Sequence, residues 1–187
     1  MSYKRWLLVA IFLFVVGFGG GLTSGLANPE GIVGPFSEDI AGLEELAGFL
    51  ASLPQSSVFL LILVKNTSAV LISFALSPIF CLAPVAALIF NGGLLGFVSA
   101  MVIEEKSLGY LLAGLLPHGI FELPALIIGE AVALSFGTAV LLALFKKERR
   151  SQLRPYLRHN LRYLLVALGL FLPAAIIETY ITPLLLR

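Results

Sequence analysis

The sequence predicts an all-α integral membrane protein with about five transmembrane helices, a re-entrant or broken half-helix before the fourth, and a short external amphipathic helix. Three observations predict it. The 187 residues are 59% hydrophobic and 12% charged, with a mean hydropathy of +1.01, whereas a soluble domain is about a quarter charged. The charges cluster and leave long uncharged runs that read as membrane spans. Finally, Leu115–Glu130, LLPHGIFELPALIIGE, sets two prolines, a histidine and two glutamates into one of those runs, where each polar group is costly and asks for a reason. Residues 1–187 read as a single polytopic membrane domain with no room for a separate soluble enzyme domain.

The first span covers roughly residues 6–26. Lys4 and Arg5 precede it and Trp6 opens it. Gly25 and Ala27 are small enough for a signal-peptide cleavage site, but the run is long enough to cross and reads as a retained span. Gly17, Gly21 and Gly25 recur every four residues and offer one face for close helix packing. Asn28–Ser57 is an acidic loop with Glu30, Glu38, Asp39, Glu44 and Glu45 and no Lys or Arg. Within it, Ser37 suits an N-cap, and Ile40, Leu43, Leu46, Ala47 and Leu50 repeat at helical spacing. Glu38–Leu53 is therefore the amphipathic surface helix, ended by Pro54.

Residues 58–77 form the second span, with Lys65 and Asn66 halfway along, and residues 80–103 the third, with Asn91, Gly92 and Gly96 near its centre. The short uncharged link Ser77–Pro84 predicts that these two spans pack as an antiparallel hairpin. Glu104, Glu105 and Lys106 mark a return to water. Leu108–Phe145 then runs on without a Lys or Arg. At about 1.5 Å per residue, one straight helix of that length far exceeds a hydrocarbon core of about 30 Å. Pro117, Gly119 and Pro124 supply a break: a proline clashes with the carbonyl four residues back, and a glycine can turn the chain. The expectation is a half-helix over 108–116 and a fourth span over 121–145. Lys146–Arg162 carries seven Lys or Arg against one Glu, the positive-inside signal. Residues 163–186 are the fifth span and contain Pro173, Glu178, Thr182 and Pro183. Five crossings put the N-terminus and the 146–162 loop in the cytoplasm, the acidic loop and the C-terminus outside, and the protein in the cell membrane.

A net charge of +1 gives no basic field for nucleic acid, which is not an expected partner. The lone Cys81 excludes an internal disulfide and a multi-cysteine metal site and reads as an inert buried thiol. The intramembrane polar groups are His118, Glu122, Glu130 and Glu178, with Lys65, Asn66 and Asn91. His118 and Glu122 stack four apart on one helix face, and counting from the span ends puts Glu178 at their depth. One reading pairs Lys65 with a glutamate and leaves the remaining carboxyls neutral or capping the backbone. The other makes His118, Glu122 and Glu178 a site for a divalent cation such as zinc, whose ligand types they match. Enzyme signatures are lacking: there is no H-E-x-x-H, no G-x-S-x-G and no phosphate-cradling loop. Glu104-Glu105 is similar to the diglutamate of intramembrane prenyl-protein proteases, but no arginine follows at helical spacing. The chain is not expected to be an enzyme; the lesser alternative is an intramembrane hydrolase using a His/Glu pair.

The string Pro117-His118-Gly119-x-x-Glu122-Leu123-Pro124-Ala125 resembles the signature of the stage II sporulation protein M family. Asn66, Asn91-Gly92-x-x-x-Gly96 and Ala175-x-x-Glu178-x-x-x-Thr182-Pro183 fall in the expected order around it, so the resemblance covers roughly Val58 to the end. It implies a multi-pass membrane protein. The sporulating members work in a membrane-anchored complex that remodels peptidoglycan, anchoring partners rather than performing the chemistry. Nothing in this chain carries sporulation itself over. The expected function is a membrane scaffold in contact with the lipid bilayer, forming a homo-oligomer, with a dimer foremost, and binding other membrane proteins. The alternative is a cation channel or transporter using the His/Glu residues at the broken fourth helix, since discontinuous helices build transport sites.

Overall fold

A computed structural model describes residues 3–27 and 53–186. The expected amphipathic helix Glu38–Leu53 and most of the acidic loop lie outside the described residues. The elements are α1 (Tyr3–Ala27), α2 (Gln55–Leu76), α3 (Leu82–Glu105), α4 (Leu108–Phe145), a 3-10 segment (Lys147–Gln152), α5 (Leu153–Tyr180) and the one-turn α6 (Thr182–Leu185). Five helices are long and apolar enough to cross a membrane. Their outward faces carry large apolar side chains such as Phe12, Phe90 and Leu165, as hydrocarbon-facing surfaces should. The protein is an all-α, multi-span membrane protein.

The first three spans match expectation to within a few residues at their ends. The fourth does not. No half-helix over 108–116 is set off from a span over 121–145: α4 runs unbroken for 38 residues with Pro117 and Pro124 inside it. No glycine among the described residues has positive φ, so Gly119 turns nothing. The physical reason lies in the solvent. A broken backbone in hydrocarbon exposes many unpaired N–H and C=O groups, whereas a proline inside a helix frees few, which neighbouring helices and local adjustments can satisfy. The two prolines are seven residues apart, two turns, and share one face of the helix. At about 1.5 Å per residue, α4 is about 57 Å long. Its N-terminus is capped by Ser107, whose hydroxyl accepts from the Tyr110 amide at 3.1 Å.

The fifth span also departs from expectation. Instead of starting at residue 163, α5 begins at Leu153, and the basic stretch expected to be a loop is a 3-10 segment followed by helix. Arg and Leu are good helix formers, and Pro155 sits in the first turn, where its missing N–H costs nothing. Burial of Asn160 and Leu164 on one face shows what this extension packs for. At the other end α5 stops at Tyr180, and Pro183 enters α6 in its first turn.

The second and third spans do not pack as a hairpin. α3 lies chiefly against α1 and touches α2 only slightly. The link explains it: Phe80 and Cys81 are consecutive non-glycine residues at φ 51° and 55°, a left-handed turn that directs α3 away from α2. Glycines then bring α1 and α3 together. A Cβ on Gly21 would fall on the Gly93 carbonyl, one on Gly17 on the Ile89 carbonyl, and one on Gly96 on the Phe18 carbonyl. These contacts advance in the same direction along both helices, so α1 and α3 are parallel. α2 and α4 form a second parallel pair, through Asn66–Glu122, Val70–Gly129 and Ser73–Glu130.

α4 is the hub and touches every other described element. An apolar cluster of Ala10, Phe14, Cys81, Leu88, Ala131 and Leu134 fills its α1/α3 side. Val70, Ala125, Val132, Leu164 and Phe171 fill its α2/α5 side. Tyr3 and Tyr163 stack with centroids 4.1 Å apart and fasten α1 to α5 at the end of the bundle that bears the basic segment.

Candidate functional site

Helical periodicity puts His118 and Glu122 on one face of α4, and antiparallel packing of α5 against α4 brings Glu178 to them. One ligating atom from each of the three residues lies within 4.8 Å of the others. The sequence-predicted trio therefore converges, on two helices and at one level of the bundle. All three are partly buried, with the His118 side chain 14% and the Glu122 side chain 28% exposed.

Each of two of these side chains is held by one atom and offers another. The His118 Nε2 faces Glu122 Oε2 at 3.7 Å, while its Nδ1 lies 3.4 Å from the Thr182 hydroxyl on α6. The Asn66 amide of α2 donates to Glu122 Oε1 at 3.0 Å. Four elements thus meet at this level, and the Pro-His-Gly-x-x-Glu stretch is where they meet. Its chemistry is that of a compact set of one imidazole and two carboxyl groups, oriented by an amide and a hydroxyl.

The other polar residues make no direct contact with these three ligating groups, although the Lys65 charge acts on Glu178. Lys65 is exposed and has no carboxylate within 4.0 Å among the described residues, so the expected Lys65–Glu ion pair is not formed. Neighbouring residues on a helix point about 100° apart; with Asn66 facing α4, Lys65 lies to one side, where its charge still acts on Glu178 of α5. Asn91 is also exposed, and its amide donates to its own helix at Ala87 O, 2.8 Å away. Glu130 is wholly buried two turns below Glu122, where it accepts a hydrogen bond from Ser73 of α2; its Oε1 has no partner. Ala125 and Leu126 separate the two levels with apolar packing. Glu104 and Glu105 are exposed at the end of α3.

Sequence reasoning missed Ser73, and also the contact of Ser135 on α4 with the Tyr156 hydroxyl of α5 at 3.2 Å. A signal for Ser73 existed. Asn66 and Ser73 are seven apart and Glu122 and Glu130 eight apart, so two helices each carry polar groups at two-turn spacing. Matching spacings on parallel helices predict two rungs.

The profile of the family described as Stage II sporulation protein M matches residues 8–183. An uncharacterized protein of Methanocaldococcus jannaschii is 32% identical over 123 residues, covering 65% of this chain and 69% of the relative. No solved structure matches.

Proposed function

The chain belongs to the stage II sporulation protein M family, and from that premise we propose that it is a non-catalytic membrane scaffold, a stiff multi-span frame that assembles with copies of itself and with other membrane proteins. The observation that carries this reading is how the intramembrane polar groups are used. Asn66–Glu122 and Ser73–Glu130 tie α4 to α2, His118–Thr182 ties it to α6, and Ser135–Tyr156 ties it to α5. Buried apolar residues such as Ala125 and Val132 separate the ties from one another. Spaced ties around one hub suit a frame better than a conduit. In this reading the N-terminus and Lys146–Arg162 face the cytoplasm, following their positive charge.

Photo-crosslinking residues placed singly at the exposed positions Val64, Phe90 and Leu165 test the scaffold in native membranes. Discrete protein adducts, including self-adducts, are the expected result. Lipid adducts alone from every face would overturn it. A second reading, cation transport, has the convergence of His118, Glu122 and Glu178 in its favour, although an unbroken α4 removes the discontinuous helix that motivated it. Divalent-cation flux into vesicles holding the purified chain decides that reading.

A further inference from the structure

We infer that His118, Glu122 and Glu178 bind one first-row divalent transition-metal ion, of the zinc or manganese class, which locks α4, α5 and, through their supports, α2 and α6. This deepens the scaffold reading, with its polar ties around α4, and rests on it.

Three features carry the inference. The first is the ligand set. Imidazole plus carboxylate suits such ions, and two carboxylates offset the charge of one dication, which makes it less costly to bury among apolar helices. The second is convergence. The three ligating atoms lie within 4.8 Å of one another. Around a tetrahedral ion with bonds of about 2.0–2.2 Å, ligand atoms are about 3.4 Å apart, so shifts of about 1 Å in side chains close the set without moving a helix.

The third feature separates this cluster from an ordinary polar contact. A ligating histidine characteristically has its other ring nitrogen held by a hydrogen-bonding group, and ligating carboxylates are held likewise. Here Nε2 of His118 and Oε2 of Glu122 face each other, while the Thr182 hydroxyl holds Nδ1 and the Asn66 amide holds Oε1. The two atoms that face each other across the His118–Glu122 contact are the ones Thr182 and Asn66 leave free, and their counterparts on the same side chains are braced. Glu178 completes the set from the facing helix. Three protein ligands leave a fourth position for water, exposed enough at these partly buried side chains for an ion to enter.

The test uses the full chain in lipid nanodiscs, affinity tag removed, stripped with a chelator and titrated with Zn²⁺, Mn²⁺ and Co²⁺. The expected result is one ion per chain by elemental analysis, a rise in melting temperature, and a Co²⁺ spectrum with the intense visible bands of a four-coordinate site. His118→Ala and Glu178→Gln should abolish stoichiometric binding. Asn66→Ala and Thr182→Val, which remove positioning residues, should weaken it by about 10–100-fold. His159→Ala, which removes the other histidine, should change nothing. No stoichiometric ion in the wild-type chain, or binding that survives His118→Ala, overturns the metal site. Should a ligand variant fail to fold, the wild-type stoichiometry and Co²⁺ spectrum still decide. The scaffold reading of the polar ties fails separately, if Asn66→Ala and Glu122→Gln leave the metal-free protein as stable as before.

Discussion

The bundle contains two parallel helix pairs, built on different principles. In α1–α3, backbone lies on backbone: glycines on both helices leave no room for a Cβ, and among the described residues no side-chain hydrogen bond crosses between them. Thr23 and Ser99 return their hydroxyls to carbonyls of their own helices. In α2–α4, glycines at 129 and 137 alternate with polar rungs, Asn66–Glu122 and Ser73–Glu130. Hydrocarbon provides no hydrophobic drive between helices, so association relies on close packing and interhelical hydrogen bonds. One pair uses packing alone. The other adds polar contacts, which bring ligating chemistry to the place where α5 and α6 also arrive.

The contrast is broken most sharply at Gly21. Gly21→Val drives side-chain carbon into the Gly93 backbone and should cost about 3 kcal/mol or more, the upper end of what overpacking costs. Gly20→Ala, with open space around it, should leave the unfolding midpoint in mixed detergent nearly unchanged. If the two variants behave alike, close packing does not hold α1 to α3. Next in size is Ser73→Ala, which leaves a fully buried Glu130 carboxyl without its partner; the expected loss is about 1–3 kcal/mol, read from the same midpoint. Asn66→Ala should cost less, about 0.6 kcal/mol and not above about 2, as for hydrogen bonds between membrane helices. Asn91→Ala, removing an exposed amide bonded within its own helix, should be silent. An Asn91 effect equal to that of Asn66 would erase the distinction between polar groups that tie helices and those that do not.

Much of this was legible in the sequence. Uncharged runs gave the spans, because a bilayer of fixed thickness filters length and polarity directly. Cost in hydrocarbon marked His118, Glu122 and Glu178, and helix periodicity and span counting placed them together. Pro117 and Pro124 misled, because the rule that proline ends helices holds where water can take up the freed backbone, and hydrocarbon cannot. The start of α5 misled because arginines mark an interface without ending a helix there. The partner of α3 was hidden in a different way. The glycine faces at 17/21/25 and 92/96 were both visible, but that they face each other depends on the left-handed turn at Phe80 and Cys81, and neither residue type announces positive φ.

The parallel pairing of α1 with α3 also dictates an order of biogenesis. Ribosomes deliver α1 first, and α2 follows it into the bilayer before the α3 glycines exist. During that interval the glycine face of α1 has only lipid, or an insertion chaperone, to lie against. The helix that reaches it last must arrive in register from the far side of a span it barely touches. The turn at Phe80–Cys81 therefore acts in time as well as in space: by swinging the third span off the second, it commits the late helix to the early one and closes the first half of the bundle only after the second span is already in place.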